Sequence, residues 1–525
     1  MTINVARSVA PSARKPKAKE ACSIGAKDVV VGKDVLELVS SAMYVDPLTI
    51  YREYVQNAAD SIDEARRKGL LSEREPGRVD IQLIPGSRSV RLRDNGAGLA
   101  WPEFVSRLIA LGMSGKRGTS ARGFRGVGRL AGLGYAQELV FRSRTKGEAL
   151  VSEMRWDCRE LRNKLRDPQS TGDVAELVSS IVRVAQIEPA DYPKRFFEVE
   201  LKGLVRLRSD KLMSPAAIGE YLGQVAPVGF SPEFRFGSEI AATLRSFVEL
   251  GEIEIHVEGL DIPVYRPHRD EIKLDDKRTI PFESVEFIEI TGIDGGVAAV
   301  AWLLHHDYEG AVPSVAVKGL RLRSGNIQVG DHALLEDLFP EQRFNVWSVG
   351  EVHIVDRRIV PNGRRDHFEQ NAHLHNLMNH LTPTARAIAR RCRTSSVRRK
   401  WLRQFEIHNE AIDEKINIVR QGILAKKERE AVASSTKQIL QQMEKIAGMD
   451  MLIDDDPDHL KEMVENRRKE VKVALKEAVV EKSPLAHLPA KKQAVYQHLF
   501  SLIYECSQNR TAAKSLIDRI ILKIT

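Results

Sequence analysis

Apolar and polar positions along the chain fall into three successive regimes. Residues 33–44, KDVLELVSSAMY, and residues 48–68 read as two helices. The pattern then turns to alternation. RVDIQLI (78–84) and SVRLRD (89–94) read as strands joined by a Pro-Gly turn, PGS, and AQELVFRSR (136–144) with ALVSEMRW (149–156) reads as a second hairpin. RFFEVELKGL (195–204) is one more strand. Two helices followed by a mostly antiparallel sheet predict an α/β sandwich with its helices on one face. Residues 205–245 are mainly helical. Strands return from 252 in EIEIHVEGL, VEFIEITGI, GVAAVAWLLH, SVAVKGLRL and VWSVGEVHIV, which predicts a second α/β part over 246–385.

From about 384 the strand signal ends and helices take over. Ile412, Ile416, Val419 and Ile423 step by four, three and four, and Ile439, Met443 and Ile446 do the same. Val495, Leu499, Leu502 and Cys506 continue the habit, followed by Leu516, Ile517, Ile520, Ile521 and Ile524. These are heptad spacings, and they fit either a bundle within the chain or a homodimer interface.

Length and composition narrow the class. A chain of 525 residues has room for about three or four domains. The expected division is a basic tail over 1–25, then parts over 26–245, 246–385 and 386–525. No apolar run is long enough to predict a membrane span. Cys22, Cys158, Cys392 and Cys506 form no CxxC pair, which argues against a zinc site or disulfide framework and fits a reducing, cytoplasmic setting. The first residues are basic but lack the apolar core of a secretory signal, leaving a disordered tail or an organellar transit peptide. A net charge of +8 allows a nucleic-acid partner without requiring one.

Three polar constellations carry candidate chemistry. In YREYVQNAADSIDEAR (51–66), Glu53, Asn57 and Asp60 share one helix face. That stripe is either solvated or it faces a ligand and a hard cation, with a carboxylate for proton abstraction and an amide oxygen for the metal. In RDNGAGL (93–99), Asp94 closes a strand and Gly96 and Gly98 follow. Its carboxylate can accept from an exocyclic amine such as that of adenine, while the glycines let a flat base approach the backbone. Within LGMSGKRGTSARGFRGVGRLAGLG (111–134), the core GFRGVG places glycines at 123, 126 and 128 ahead of a helix, where backbone N–H groups can cradle phosphate. The order matches neither the dinucleotide-binding fingerprint nor a P-loop.

Taken together, E-x-x-x-N-x-x-D, D-x-G-x-G and G-x-x-G-x-G in this order resemble the GHKL (Bergerat-fold) ATPases. Among them the chain is most similar to the heat-shock protein 90 chaperones, HtpG in bacteria. LELVSSAMYVDPLTIYREYVQNAADSIDEAR resembles their first two helices, and LGMSGKRGT resembles the lysine-bearing start of their lid. SVGEVHIVDRRIVPNGRRDHFEQN (348–371) resembles the segment whose N-x-x-R loop reaches the ATP γ-phosphate, with Asn362 and Arg365 in register and Arg364 one residue off.

The resemblance implies a Bergerat α/β sandwich, an α/β transducer part and an all-helical dimerisation part. It implies ATP and Mg²⁺ as ligands: Glu53 as base, Asn57 on Mg²⁺, Asp94 on the adenine amine, and Gly96 and Gly98 shaping the base pocket. Lys116 would lie in the lid, Gly123, Gly126, Val127 and Gly128 would wrap the triphosphate, and Arg365 would meet the γ-phosphate. Departures stand beside it. The lid between Thr119 and Gly123 is short, Arg129 and Leu130 replace an aromatic pair, and RFFEVELKGL lacks the threonine many relatives place by the base. The chaperones' acidic linker is absent, and GFRG has a MutL flavour.

RAIARRCRTSSVRRKWLR (386–403) carries eight basic residues and no acid, so a stripe from Arg386 to Arg403 fits nucleic acid, an acidic partner or a solvated helix. The expectation is an ATP-hydrolysing homodimeric clamp that closes on a protein client. The alternative is a nucleic-acid clamp of MORC or MutL type in genome defence or repair. A signalling histidine kinase fits less well, because no helical phospho-acceptor part precedes the nucleotide motifs.

Overall fold

The structure is a computed structural model that describes residues 46–72, 74–110, 122, 128–167, 173–206, 209–422, 426–449, 459–480, 483–507 and 510–524, with single positions 32, 33, 36, 424 and 452. The predicted 33–44 helix lies outside the described residues apart from Lys33 and Leu36. The fold is mixed α/β with a helical C-terminal region, and among the described residues no helix is long and apolar enough to cross a membrane.

The first sheet has seven strands: β1 (Arg78–Ile84), β2 (Ser89–Asp94), β3 (Glu138–Arg144), β4 (Val151–Asp157), β5 (Val182–Ile187), β6 (Phe196–Lys202) and β7 (Glu254–Val257). Their order is β5-β4-β3-β6-β2-β1-β7, antiparallel throughout except for the parallel β1/β7 edge. Alternation divides its two faces. Val79, Ile81, Val90, Leu92, Phe141, Met154, Val199 and Leu201 bury against helix α1 (Thr49–Arg67) and its neighbours. The other face carries a charge lattice in which Arg142 bonds Glu153, Glu198 and Glu200. The mostly antiparallel sheet with helices on one face is as predicted. Strand β7 was expected in the second part but returns to the first sheet. Helices α2 (Trp101–Ile109), α3 (Cys158–Arg166) and α4 (Val174–Ile181) and strand β5 were not anticipated.

Helices α5 (Pro215–Val225) and α6 (Gly237–Arg245) lead onward. The small pair β8 (Glu271–Lys273) and β9 (Thr279–Pro281) precedes a five-stranded sheet of β10 (Ser284–Thr291), β11 (Val297–His305), β12 (Gly319–Ser324), β13 (Ile327–Val329) and β14 (Val349–Ile354). Its order is β10-β11-β14-β12-β13. Both faces are covered, which explains why β11 reads as a continuous apolar run; β14 is equally buried but carries Glu351 and His353. Leu374, Leu377, Leu381 and Ile388 of helix α7 pack on one face, and Ile240 and Leu244 of α6 join Val300, Trp302 and Leu304 on the other.

Helix α7 runs from Ala372 to Arg420 without a break. Its first half belongs to the second sheet's core. Its second half contributes Phe405, Ile412, Ile416 and Val419 to a bundle with α8 (Lys426–Ala447) and α9 (His459–Val480). The expected boundary at 385 therefore falls inside one continuous helix. The first heptad seam is filled within the chain, by Met443 and Ile446 against Ile412 and Ile416; Ile423 lies outside the described residues. The last helices, α10 (Ala490–Cys506) and α11 (Arg510–Ile524), bury Phe500 and Ile517 together but leave Val495, Leu499 and Leu502 exposed at 66%, 42% and 41%.

A buried ionic cluster joins the first unit to the second sheet. Glu351 on β14 accepts from Arg323 Nε at 2.6 Å, pairs with Arg266, and lies 3.0 Å from His353 Nε2. Arg323 Nη2 donates 2.5 Å to the Gln224 carbonyl at the end of α5, and Asn326 Nδ2 donates 2.8 Å to the Leu250 carbonyl. The two arginines hold the Glu351 carboxylate well below its usual range against burial, and burial holds His353 neutral with a pKa of about 4. Removing one partner of a buried pair strands the others, at about 3–5 kcal/mol. Glu351→Ala, which strands Arg266 and Arg323, is therefore expected to lower the melting temperature far more than Glu341→Ala, whose pair with Arg393 is exposed. Equal melting temperatures would show that the cluster contributes nothing to stability.

Candidate functional site

Helix α1 carries three of the side chains that build the site. Its apolar side, including Tyr51, Val55, Ala58, Ala59 and Ile62, packs into the first core. This turns Glu53, Asn57 and Ser61 to one neighbouring face, at i, i+4 and i+8. Glu53 is buried, Asn57 half-buried.

At one end of that face, Ser61 meets the D-x-G-x-G turn. The Ala97 N–H donates 3.0 Å to the Ser61 carbonyl, and the Gly96 N–H donates 2.8 Å to Asp94 Oδ1. A Cβ at Gly96 would lie 2.2 Å from Ser61 Oγ, so only glycine lets the helix come this close. Gly98 has a φ of +69° and backs onto the Arg144 carbonyl. Burial raises the Asp94 pKa to about 7, opposed by the Gly96 N–H, Ser61 and Arg195.

At the other end, Glu53 meets Gly128. A Cβ there would sit 2.2 Å from Glu53 Oε2. Glu53 Oε1 accepts from Arg52 Nη2 at 3.0 Å, and the same Arg52 nitrogen donates 2.9 Å to the Arg364 carbonyl. Eight residues of helix separate Glu53 from Ser61, a rise of about 12 Å. The site is thus elongated, with one buried carboxylate at each end.

The second unit reaches this site through Arg365. Arg365 is buried, with a positive φ of 57°, whereas Arg364 is exposed. Its Nη2 donates to the Arg122 carbonyl, and its Nη1 is buried with no hydrogen-bond partner among the described residues. Burial lowers its pKa to about 10, with Glu53 pulling the other way. A left-handed backbone and a buried, unsatisfied guanidinium are features that cluster at functional sites.

Sequence reasoning missed several residues that build the site. Arg122 donates its N–H 2.9 Å to Asp60, its side chain 2.5 Å to Asp63, and its Nε 2.8 Å to the Gly325 carbonyl in the β12–β13 turn. Asp60 thereby supports the loop. Arg52, Ser61 and Arg195 are the others. Lys116, Gly123, Gly126 and Val127 lie outside the described residues.

For Mg²⁺ the donor set fits a metal carried in by a ligand: Asn57 offers one hard oxygen, and no cluster of three His, Cys, Asp or Glu occurs among the described residues. Three of the eight basic residues of the stretch help dock α7. Arg391 bonds His305, Arg393 donates 2.8 Å to Glu341, and Arg399 bonds the Tyr308 carbonyl and stacks on Trp347. Arg386, Arg390 and Arg403 are exposed.

Curated relatives share part of this chain. A chaperone protein HtpG from Polaromonas naphthalenivorans is 25% identical over 203 residues, which is 34% of this chain and 30% of the relative. The chaperone protein HtpG of Chromobacterium violaceum is 25% identical over 241 residues, 42% and 37% of the two chains. That of Legionella pneumophila is 31% identical over 90 residues, 16% and 14%. The chain thus spans only about a third of the length of the two longer-matching relatives. No protein-family model matches the chain. These likenesses lie on the chaperone side of the resemblance; none of the three relatives is of MORC or MutL type.

The Asp94 environment has a measurable cost. A carboxyl whose pKa rises from 3.8 to about 7 on folding destabilises the folded state progressively as pH rises between those values, and no further above them. Asp94→Asn removes that dependence. Its stability relative to wild type should therefore improve by roughly 2–3 kcal/mol between pH 5 and pH 8. Denaturant melts at both pH values test this; a constant difference contradicts the burial argument.

Proposed function

We propose that this chain is a Mg²⁺-dependent ATPase that works as a homodimeric clamp on a protein client, in the manner of the HtpG-type chaperones. What carries this reading is the elongated site along α1: buried Glu53 at one end and buried Asp94 against Ser61 at the other, with about 12 Å of helix rise between Glu53 and Ser61, and an unsatisfied arginine reaching the Glu53 end from the second sheet. ATP has its base and γ-phosphate at a comparable separation. The partial likeness to HtpG chaperones points the same way.

In this reading, ionised Asp94 accepts from the adenine amine, and Gly96 and Gly98 give the ring room. Asn57 would hold Mg²⁺, which when bound neutralises phosphate charge. Lys116, Gly123, Gly126, Val127 and Gly128 belong to the loop around the triphosphate. Glu53 orients a water and takes its proton. Arg52 pairs with Glu53 and with the Arg364 carbonyl at once, so the seat of the second sheet governs how freely Glu53 acts. Arg365 then meets the charge that develops on the γ-phosphate.

The exposed seam of Val495, Leu499 and Leu502 on α10 is the surface through which two chains pair, and pairing raises the effective concentration of the two heads. The alternative of a nucleic-acid clamp in genome defence or repair has less support: the partial likenesses are to HtpG chaperones, and of the basic stripe Arg391, Arg393 and Arg399 serve contacts within the chain while Arg386, Arg390 and Arg403 stay exposed.

Glu53→Ala should bind ATP and hydrolyse it about 100-fold more slowly or worse, and Arg365→Ala should lose about 1000-fold in kcat. Phosphate-release assays beside equilibrium binding test both; normal turnover in Glu53→Ala removes the assigned base. Light scattering of Leu499→Glu/Leu502→Glu should give a monomer where the unaltered chain gives a dimer. A dimer unaffected by both changes would put the interface elsewhere.

A further inference from the structure

The position just before β6 places a cation beside Asp94. On β2, Val90, Leu92 and Asp94 point to the helix side of the sheet, and on β6 Val199 and Leu201 do the same. Asp94 pairs directly with Phe197. Arg195 stands one residue before β6, and its bond to the Gly96 turn sets its guanidinium at the same end of the site as Asp94. It is half-buried, and its Nη1 donates 2.9 Å to the Gly96 carbonyl. Gly96 in turn donates to Asp94. A guanidinium presents five N–H donors in a planar fork, so bonding Gly96 leaves others to point into the base end of the site.

We propose that Arg195 determines base specificity here, donating a hydrogen bond to N1 of adenine while Asp94 accepts from the neighbouring 6-amine. This rests on the nucleotide reading above. Adenine presents a donor and an acceptor side by side on that edge, and Asp94 with Arg195 presents an acceptor and a donor in answering order. A 6-oxopurine reverses both: its O6 faces a carboxylate and its N1–H faces a guanidinium. The pair thus attracts adenine and repels hypoxanthine, which gives discrimination from both directions.

Calorimetric binding of ATP, 1-deazaadenosine triphosphate (C–H in place of N1) and inosine triphosphate to the full chain tests this. The unaltered protein should bind the 1-deaza nucleotide about tenfold or more weakly than ATP, the usual worth of a hydrogen bond to a charged group. Arg195→Ala should weaken ATP by a similar factor, leave the 1-deaza nucleotide unchanged, and narrow the gap between ATP and inosine triphosphate. Arg195→Lys should recover part of the loss. Equal binding of ATP and its 1-deaza analogue by the unaltered chain overturns the inference and leaves Arg195 as an anchor of the Gly96 turn. So does an Arg195→Ala effect of the same size on both nucleotides. The comparison on unaltered protein stands even where a variant fails to fold. A chain that binds no ATP removes the nucleotide reading and this inference with it, an outcome distinct from binding both analogues alike.

Discussion

Helix α1 and the turn after β2 touch at backbone distance, and everything else in the site follows from that contact. Ser61 leaves no room for a side chain at Gly96, and the Ala97 N–H bonds back to the Ser61 carbonyl. The contact sets the height of the helix over the sheet. With that height fixed, Glu53 arrives two turns away, against Gly128, and Asp94 is sealed from water. Burial of a carboxylate is costly, and the chain accepts that cost at Asp94 without a direct counter-ion pair, relying on two hydrogen bonds and the nearby Arg195. A purely structural turn would gain more from asparagine. A buried carboxylate with so raised a pKa is of the kind that clusters at functional sites.

The second constraint is charge buried between units. Glu351 with Arg266 and Arg323 joins the second sheet to the end of α5, while Arg122, bonded by Arg365, joins it to Asp60 and Asp63 of α1. These two groups differ in kind. The Glu351 carboxylate has both its oxygens engaged, as expected of a fixed joint. Arg365 has a buried nitrogen without a partner and a left-handed backbone, which suits a contact that changes when a ligand arrives.

Much of this was legible in the sequence because it is written in period and spacing. Strands 78–84 and 89–94 have the predicted bounds, since a half-buried antiparallel strand alternates strictly. Strand β5 escaped because it is exposed along most of its length at the sheet edge, so no alternation marks it. Helices α3 and α4 did carry a signal: Asp157 and Asp173 cap them, each with a glutamate three residues on. The membership of β7 in the first sheet depends on a parallel pairing between residues more than 170 positions apart, which no local pattern encodes. Glu53, Asp94 and Gly128 could be picked out by motif. Ser61, Arg122 and Arg195 act through tertiary contacts, and Arg195 shows itself only by its bond to the Gly96 carbonyl.

Helix α7 decides how a change at the site can travel. It is one element of 49 residues, about 70 Å long at the usual rise, and it belongs to two cores at once. Leu374 to Cys392 are packed on the second sheet, and Phe405 to Val419 are packed in the tail bundle. A helix packed into both cores gives the sheet and the tail one shared element. The basic residues Arg391, Arg393 and Arg399, which at first sight suit a polyanion, fasten this lever where it leaves the sheet. The Arg365 and Arg122 contacts over α1 are of another kind: hydrogen bonds to carbonyls and carboxylates, with one Arg365 nitrogen lacking a partner among the described residues.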